Sequence, residues 1–468
     1  MVDSIYSNYT NFVYKVEKCK EKEVYVLFNP SIHFWVSLDS IGKEIFELAI
    51  TLNSVEKIQE KLVEKYNIDH SDFIADVIPF LQELLNKKFL SIEPTPLKDD
   101  FSYNADGFFD IENYPFNEMY VSLSDDCNLN CLYCFNKEMR KQTKAQSNYN
   151  PATYEEIINV VEQFKKLNGS RIVLTGGEPT LNKHFEKICQ YCFEIGLEVG
   201  IITNGLTLLN KKLDDILPYV TSIGLSLDSV FQEELIALWG IKDIKISEKM
   251  REILRKLDRW SELNHTISIN IMPISCNINY KSMPQIISSI ASELTHCNVS
   301  WQIVKYDKIN NQEIDDMLDI SEAMYISSII EGLSSISDIS SPNVYNKLLK
   351  YAYSNSGRLL PAQEPKQFTC APSFFITATG DIKPCQGLDS ICLGNIRNTT
   401  LKEAFMSKEF QKLKSIICKD EIPVCKDCEL RYVCESEKRE CYHNKDNSTV
   451  KCKEKRIYQM YLETLCKE

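Results

Sequence analysis

Three cysteines lie together at the end of one predicted strand, and they constrain this chain more than any other feature. Cys127, Cys131 and Cys134 have the spacing CxxxCxxC and follow residues 119–123, which predict a strand. One short loop therefore carries three thiolate ligands. A [4Fe-4S] cluster has four irons, so three protein ligands leave one iron open to a small molecule.

A structural zinc site is the alternative for this loop. Zinc in such sites is tetrahedral and is usually held by four Cys or His ligands. No fourth Cys or His lies near the loop in the sequence, since the next histidine is His184. The spacing therefore favours an iron–sulfur cluster over zinc.

A glycine pair follows the next predicted strand, residues 171–174. Residues 175–179 read Thr-Gly-Gly-Glu-Pro, in which Gly176 and Gly177 let the backbone approach a ligand closely. Glu178, which precedes Pro179, offers a carboxylate to a ligand ammonium group. A Gly-Gly pair alone would indicate only a turn.

Together the two motifs resemble those of the radical S-adenosylmethionine (SAM) superfamily. The resemblance implies that the three cysteines hold a [4Fe-4S] cluster whose open iron is chelated by the amine and carboxylate of SAM. It also implies that Gly176, Gly177, Glu178 and Pro179 bind the SAM amino group. In that family, one-electron reduction cleaves SAM into methionine and a 5′-deoxyadenosyl radical, so we expect an enzyme.

Length, composition and charge agree with an intracellular protein of several domains. The 468 residues exceed the roughly 250 to 300 at which a single core usually stops growing. A net charge of −13 argues against nucleic acid as a partner, because phosphate binding needs clustered Lys and Arg. We find no signal peptide pattern and no apolar run near 18 residues, so we expect no membrane association and a cytoplasmic location.

Residues 119 to 304 alternate strand and helix signals. Besides the first strand, strands are predicted at residues 171–174, 198–203, 222–228, 266–272 and 299–304. Six strands separated by helices predict an α/β fold with a parallel sheet and right-handed crossovers. This agrees with the partial (β/α)6 barrel that the resemblance implies.

Polar residues at the ends of these strands are candidates for SAM contacts, because ligands of parallel sheets lie at the carboxyl ends of the strands. Thr203 and Asn204 end one strand, and Ser226 and Asp228 end the next. Thr-Asn-Gly is also an ordinary turn signal. Tyr133, inside the cysteine loop, completes the predicted cofactor-binding set.

A second group of cysteines occupies the C-terminal third of the chain. Cys370 is followed after nine residues by Gly380 and after four more by Cys385, and residues 374–384 predict a hairpin with its turn at Gly-Asp. The cysteines that continue this pattern are Cys425, Cys428, Cys434, Cys441 and Cys452. The pattern resembles the SPASM domain of radical SAM enzymes, except that six residues instead of three precede Cys441.

The SPASM resemblance implies two auxiliary [4Fe-4S] clusters and hence three in all. The family's crossed pattern assigns one cluster to Cys370, Cys385 and Cys441 and the other to Cys425, Cys428, Cys434 and Cys452. The first set is one ligand short, so its cluster has an open iron or takes a nearby thiolate such as Cys392 or Cys418. A zinc site at Cys425 and Cys428 with two later cysteines is the alternative.

Residues 1–95 are predicted to form a separate α+β unit of the winged-helix type. Alternating residues predict a hairpin over 24–38, and helices are predicted at 40–49, 55–66 and 73–85, the last kinked by Pro79. A small DNA-binding or dimerisation module is the alternative. Residues 27–30 and 76–81 resemble the peptide-recognition domain related to pyrroloquinoline-quinone chaperones (PqqD-like), which implies capture of a leader peptide by β-augmentation.

The predicted organisation has five parts. These are the recognition domain at 1–95, a linker at 96–116, the radical SAM partial barrel at 117–310, a helical bridge at 311–365 and the SPASM domain at 366–468.

The resemblances imply a radical SAM/SPASM enzyme that modifies a ribosomally made precursor peptide. Hydrogen abstraction would be followed by a side-chain cross-link, either a thioether, a carbon–carbon bond or an ether, and a flavodoxin or ferredoxin would be the reductant. One alternative is a sulfatase-type maturase that forms formylglycine, although Gln386 stands where those relatives carry Asp. The other is a noncatalytic peptide-binding or electron-relay protein.

Overall fold

Two units make up the part of the chain that the structure, a computed structural model, describes. The described residues are 6–7, 12–16, 24–29, 34–86, 89–93, 111, 114, 116–134, 136–306, 311–321, 324–325, 327–329, 331–332, 373–386 and 391–413. Those up to residue 93 belong to the first unit and those from residue 111 onwards to the second.

The first unit combines a small antiparallel sheet with helices. The sheet has the order β2 (Phe12–Val16), β3 (Val24–Asn29), β4 (Phe34–Leu38), and a separate short pair joins β1 (Tyr6–Ser7) to β5 (Leu90–Ser91). The helices are α1 (Ser40–Leu52), α2 (Val55–Tyr66), the short α3 (His70–Asp72) and α4 (Ile78–Asn86). This is the predicted hairpin followed by helices, with one further strand in the sheet.

Local sequence signals explain where these helices begin and end. The side chain of Asp39 accepts a hydrogen bond from Gly42 N at 2.7 Å and so caps α1. Asn53 and Asn67 end α1 and α2 in the left-handed conformation, which asparagine tolerates. A π-helical turn at Phe73–Val77 precedes Pro79, with Ile78 N donating to Phe73 O, and the kink expected at Pro79 stays a prediction.

The second unit is built on a nine-stranded sheet. The six strands of this sheet that come first along the chain are parallel to one another. They are β6 (Glu118–Ser122), β7 (Arg171–Thr175), β8 (Glu198–Thr203), β9 (Ser222–Leu225), β10 (Ser268–Ile271) and β12 (Asn298–Trp301). All six predicted strands are therefore confirmed. The predicted strand at 222–228 ends earlier, so that Ser226 and Asp228 lie in the following loop.

Helices connect the parallel strands. They are α5 (Lys137–Ala145), α6 (Tyr154–Lys166), α7 (Phe185–Glu194), α8 (Gln232–Trp239), α9 (Ile246–Leu263) and α10 (Met283–Glu293), and α11 (Gln312–Leu318) follows the sheet. Two short strands, β11 (Ile274–Ser275) and β13 (Val304–Lys305), pair beyond β10 and β12. Within the described residues, no helix combines the length and apolar character that a membrane crossing requires.

The predicted hairpin in the C-terminal third extends this same sheet. β14 (Phe374–Ile376) pairs in parallel with β6, and β15 (Asp381–Lys383) and β16 (Gly394–Asn395) follow in antiparallel order. Gly380 forms the turn with φ of 86°. The helices α12 (Leu401–Met406) and α13 (Lys408–Gln411) complete this region. The described residues 373–413 thus belong to the same unit as the parallel sheet.

Aromatic packing and one arginine fasten this region to the segment before β6 and to helix α6. Phe405 packs edge-on against Tyr114 and Phe116, with ring centroids 4.9 and 5.2 Å apart. The guanidinium of Arg397 binds both carboxylate oxygens of Glu156, at the start of α6, over 2.7 and 3.0 Å. This hydrogen bond is the main reason why the pKa of Glu156 is lowered from 4.5.

We expect Arg397→Ala to lower the free energy of unfolding by about 1 to 2 kcal/mol, because it removes a two-point, charge-assisted hydrogen bond. Thermal unfolding of the full chain measures this. The pKa of Glu156 is lower in the folded protein than in the unfolded chain. The bond to Arg397 therefore stabilises the folded protein fully at pH values above the ordinary pKa of Glu156, and this stabilisation is lost as the pH falls through the lowered pKa. Lys402→Ala removes an exposed side chain of the same region and serves as the control. Equal destabilisation by the two changes would contradict the assignment.

Candidate active site

The three predicted cluster ligands lie in one loop at the carboxyl end of β6, as the rule for parallel sheets requires. Cys127, Cys131 and Cys134 are half-buried and form no disulfide. Burial raises the pKa of the Cys127 thiol and raises that of Cys131 strongly. Thiols must lose their protons to bind iron, so ligation is what would turn these groups into thiolates.

The donors at this loop fit an iron–sulfur cluster with one open iron. These donors are the thiols of the three cysteines. The next histidine in the sequence, His184, packs instead on the ring of Tyr154, with ring centroids 5.3 Å apart. Among the described residues, no three His, Cys, Asp or Glu side chains are arranged to hold a single metal ion.

Backbone hydrogen bonds hold this loop against the end of helix α8. Asn130 N donates to Trp239 O at 3.0 Å, and Leu132 N donates to Leu238 O at 2.9 Å. Carbonyl groups in the last turn of a helix have no partner within the helix, so α8 can accept both bonds. Gly240 follows with φ of 59°, and a Cβ there would lie 2.5 Å from Asn130 O. The contact therefore requires glycine.

The glycine pair lies directly against the cysteine loop. Gly177 N donates to Ser124 O and Glu178 N donates to Asp126 O, each at 2.7 Å. A Cβ on Gly177 would lie 2.1 Å from Asp126 O, and one on Gly176 would lie 2.5 Å from Ser124 O. Both glycines are therefore needed for the close approach of the two loops, and their predicted contact with SAM stays a prediction.

The carboxylate of Glu178 is buried and already has protein donors. Its Oε1 accepts from Thr180 and, at 2.7 Å, from Thr203 Oγ1, while its Oε2 accepts from Asn204 N at 2.9 Å. Burial raises the pKa of Glu178, and these hydrogen bonds oppose that rise. Glu178 thus joins the ends of β7 and β8, and its contact with the SAM amino group stays a prediction.

Asn204 extends this network to the cysteine loop. Its side-chain Nδ2 donates to Asn128 Oδ1 at 2.7 Å, next to Cys127. Thr203 and Asn204 therefore connect the two predicted cofactor motifs through Glu178. Ser226 is half-buried at the end of the neighbouring strand, where its N donates to Thr203 O at 2.9 Å.

Tyr133 and Asp228, predicted independently as SAM contacts, contact each other. The hydroxyl of Tyr133 donates to Asp228 Oδ2, and Trp239 Nε1 donates to the same oxygen at 2.5 Å. Burial raises the pKa of Asp228, which is fully buried, while its hydrogen bonds lower it.

Two charged residues beside the loop were missed by the sequence analysis. Arg140 on α5 has its Nη2 3.5 Å from Cys134 Sγ, and no spacing rule marks it. Asp125 is the second, and its pKa is raised by burial. Its Oδ2 is buried with no hydrogen-bond partner in the described part of the chain. The Asp-Asp pair before Cys127 was a visible signal for it.

Of the predicted auxiliary ligands, the structure describes Cys385, half-buried after β15. Cys392, named as a possible replacement ligand, is exposed and its Sγ lies 3.4 Å from Gly394 O. The remaining predicted ligands and Cys418 lie outside the described residues, so their roles stay predictions: Cys370, Cys425, Cys428, Cys434, Cys441 and Cys452.

We expect Gly177→Ala to abolish iron binding by the cysteine loop, because its Cβ would overlap the backbone of Asp126. Iron content of the reconstituted protein should fall by about one cluster, because the SPASM clusters keep their iron, and SAM binding should fall at least about tenfold. Gly196→Ala is the control, since its position also has positive φ, but the nearest atom to its Cβ is a lysine Nζ at 3.6 Å. Normal SAM binding by Gly177→Ala would contradict the assignment.

Three family models match this chain. The radical SAM superfamily matches residues 121–290, and the iron–sulfur cluster-binding SPASM domain matches residues 369–429. Coenzyme PQQ synthesis protein D (PqqD) matches residues 25–90. The three kinds of domain that the sequence motifs implied are therefore present, and their predicted bounds stay predictions.

Curated proteins match part of this chain at low identity. The chain is 29% identical over 181 residues to GTP 3′,8-cyclase of Haemophilus influenzae, which covers 37% of this chain and 51% of that protein. It is 29% identical over 168 residues to molybdenum cofactor biosynthesis protein moc-5 of Caenorhabditis elegans, covering 35% and 26%. The chain therefore spans about half of these relatives' length or less.

Two solved structures of anSMEcpe share the fold. One holds AdoMet, and the other holds AdoMet and the Kp18Cys peptide. Both cover 75% of this chain and 97% of their own, with TM-scores of 0.52 and 0.51 and identities of 16% and 17%. A radical SAM domain binds SAM and a [4Fe-4S] cluster, and a SPASM domain binds further iron–sulfur clusters. The chain therefore contains a radical SAM domain, with a PqqD domain before it and a SPASM domain after it.

Proposed function

We propose that this enzyme modifies a ribosomally made precursor peptide by joining two of its side chains. The observation that carries the proposal is the presence of a PqqD domain on the same chain as the SAM site. The peptide bound in one of the anSMEcpe structures supports the same substrate class. A thioether is the bond we favour, with carbon–carbon and ether links as the other forms.

The N-terminal sheet offers a way to hold such a peptide. Its order is β2–β3–β4, so within this sheet β2 and β4 each have one unpaired edge. An extended peptide can add to such an edge through main-chain hydrogen bonds. A leader held there would keep the attached core peptide at a high local concentration beside the SAM site.

Bound SAM and its cluster supply a radical that can remove hydrogen from an unactivated carbon atom. The residues of this chain provide the geometry. Cys127, Cys131 and Cys134 would hold the cluster. The glycine pair brings the turn after β7 against their loop. Glu178 fixes the distance between that turn and the end of β8. Each new link removes two hydrogens from the peptide: one would leave as an atom in 5′-deoxyadenosine, and the other as a proton to solvent and an electron to an auxiliary iron–sulfur cluster.

Anaerobic incubation of the full chain with SAM, dithionite and a precursor peptide encoded nearby tests the proposal. We expect 5′-deoxyadenosine, a peptide lighter by two hydrogens per link, and loss of one alkylatable thiol for each thioether. The variant with Cys127, Cys131 and Cys134 all changed to Ala should form neither product. Cys297→Ala, which changes a half-buried cysteine elsewhere in the domain, should behave as the wild type.

The outcomes of this experiment separate the alternatives. A product that reacts with a hydrazide contains an aldehyde and would indicate formylglycine formation. Formation of 5′-deoxyadenosine with no change in any nearby peptide would refute the peptide substrate but not the SAM site. Absence of 5′-deoxyadenosine would leave a binding or electron-relay protein.

We expect removal of the leader to lower kcat/KM for the core peptide by at least about 100-fold, because tethering is lost. A peptide with a scrambled leader of the same composition is the control and should be equally poor. Free leader added to the intact precursor should inhibit by competition. Equal kcat/KM values with and without the leader would contradict a role of the N-terminal unit in leader recognition.

A further inference from the structure

The most enclosed carboxylate at the active site belongs to Asp228, whose exposed fraction is 0%. Three donors from three separate segments reach it. Tyr133 comes from the cysteine loop, Trp239 Nε1 from the end of α8 at 2.5 Å, and Ile274 N from the start of β11 at 2.7 Å. A buried carboxylate is tolerated only when such donors satisfy it.

These donors bind both carboxylate oxygens of Asp228. Oδ2 accepts from Tyr133 and Trp239, and Oδ1 accepts from Ile274 N. A carboxylate has about four acceptor positions, and three are filled here. The backbone oxygen of Asp228 is also bound, since it accepts from Asn279 Nδ2 at 2.8 Å. The residue is therefore fixed from both its main chain and its side chain.

Tyr133 connects this carboxylate to the loop that carries the predicted cluster ligands. It lies between Cys131 and Cys134, and its neighbour Leu132 donates its N–H to the last turn of α8. Trp239, which supplies the carbonyl bonded by Asn130, also donates its indole N–H to Asp228. Side-chain and backbone contacts thus join the same loop to the same helix end, with Asp228 at the point where they meet.

We propose that Asp228 is a positioning residue, which fixes the cysteine loop through Tyr133 and does not contact SAM. The proposal goes beyond the peptide-modifying function, because it concerns the SAM site whatever the substrate is. A direct SAM contact predicts that changing Asp228 weakens SAM binding alone. Positioning predicts that the loop holds iron less firmly even without SAM, and that Tyr133→Phe has the same effect.

Iron release to a chelator under anaerobic conditions, without SAM, distinguishes these two roles. Iron released by the variant lacking all three loop cysteines gives the contribution of the other clusters, which is subtracted. Asp228→Asn and Tyr133→Phe should each release iron from the loop about three to ten times faster. Because both changes break one interaction, the double variant should be no faster than the faster single variant.

The electron paramagnetic resonance signal of the reduced protein provides a second readout. The change in this signal on adding SAM belongs to the loop cluster, and it should be altered in both variants. Tyr133→Phe removes a single hydroxyl, so it tests the proposal even where changes at Asp228 prevent folding.

Glu234→Gln is the matched control. Its carboxylate lies on α8 and accepts from Ser229 Oγ at 2.5 Å and Ser282 Oγ at 2.6 Å, and among the described residues it has no bond to the cysteine loop. Iron release and the SAM-dependent signal should match the wild type. The proposal is wrong if Glu234→Gln accelerates release as strongly, if the two single effects add, or if Asp228→Asn weakens SAM binding while Tyr133→Phe changes nothing.

Discussion

Hydrogen bonds from neighbouring segments determine the shape of a cysteine loop that has little regular structure of its own. The glycine turn after β7 bonds it on one side through Gly177 N and Glu178 N. The end of α8 bonds it on the other through Trp239 O and Leu238 O. Ligand geometry in this site is therefore a property of the assembled sheet and helices, and the three thiols alone do not define it.

Buried carboxylates complete this support at two places. Glu178 links the ends of β7 and β8, and Asp228 links the loop to α8 and β11. Each is surrounded by neutral donors, so each contributes only while its hydrogen bonds remain intact. The sequence analysis predicted both residues as ligand contacts. A carboxylate at the end of a strand has the same sequence pattern whether it contacts a ligand or another part of the protein.

The sequence predicted those features that depend on local pattern or fixed spacing. The six parallel strands were found because each is a short apolar run between turns, and the cysteine loop because its spacing is distinctive. Residues 222–228 were predicted as one strand, yet the pairing with β8 and β10 ends at Leu225. Trp239 and Arg140 could not be found, since they reach the site through tertiary contacts that no spacing rule describes.

The pairing of β14 with β6 places the two described groups of cysteines at opposite ends of one sheet. β14 runs parallel to β6, with Phe374 beside Met119, so the antiparallel β15 brings Cys385 to the level where β6 begins. The cysteine loop starts where β6 ends, roughly 17 Å away for five residues of strand. A substrate that touched both ends at once would need at least about five extended residues between its two points of contact, and those two residues could be bonded to each other only after one of them had moved.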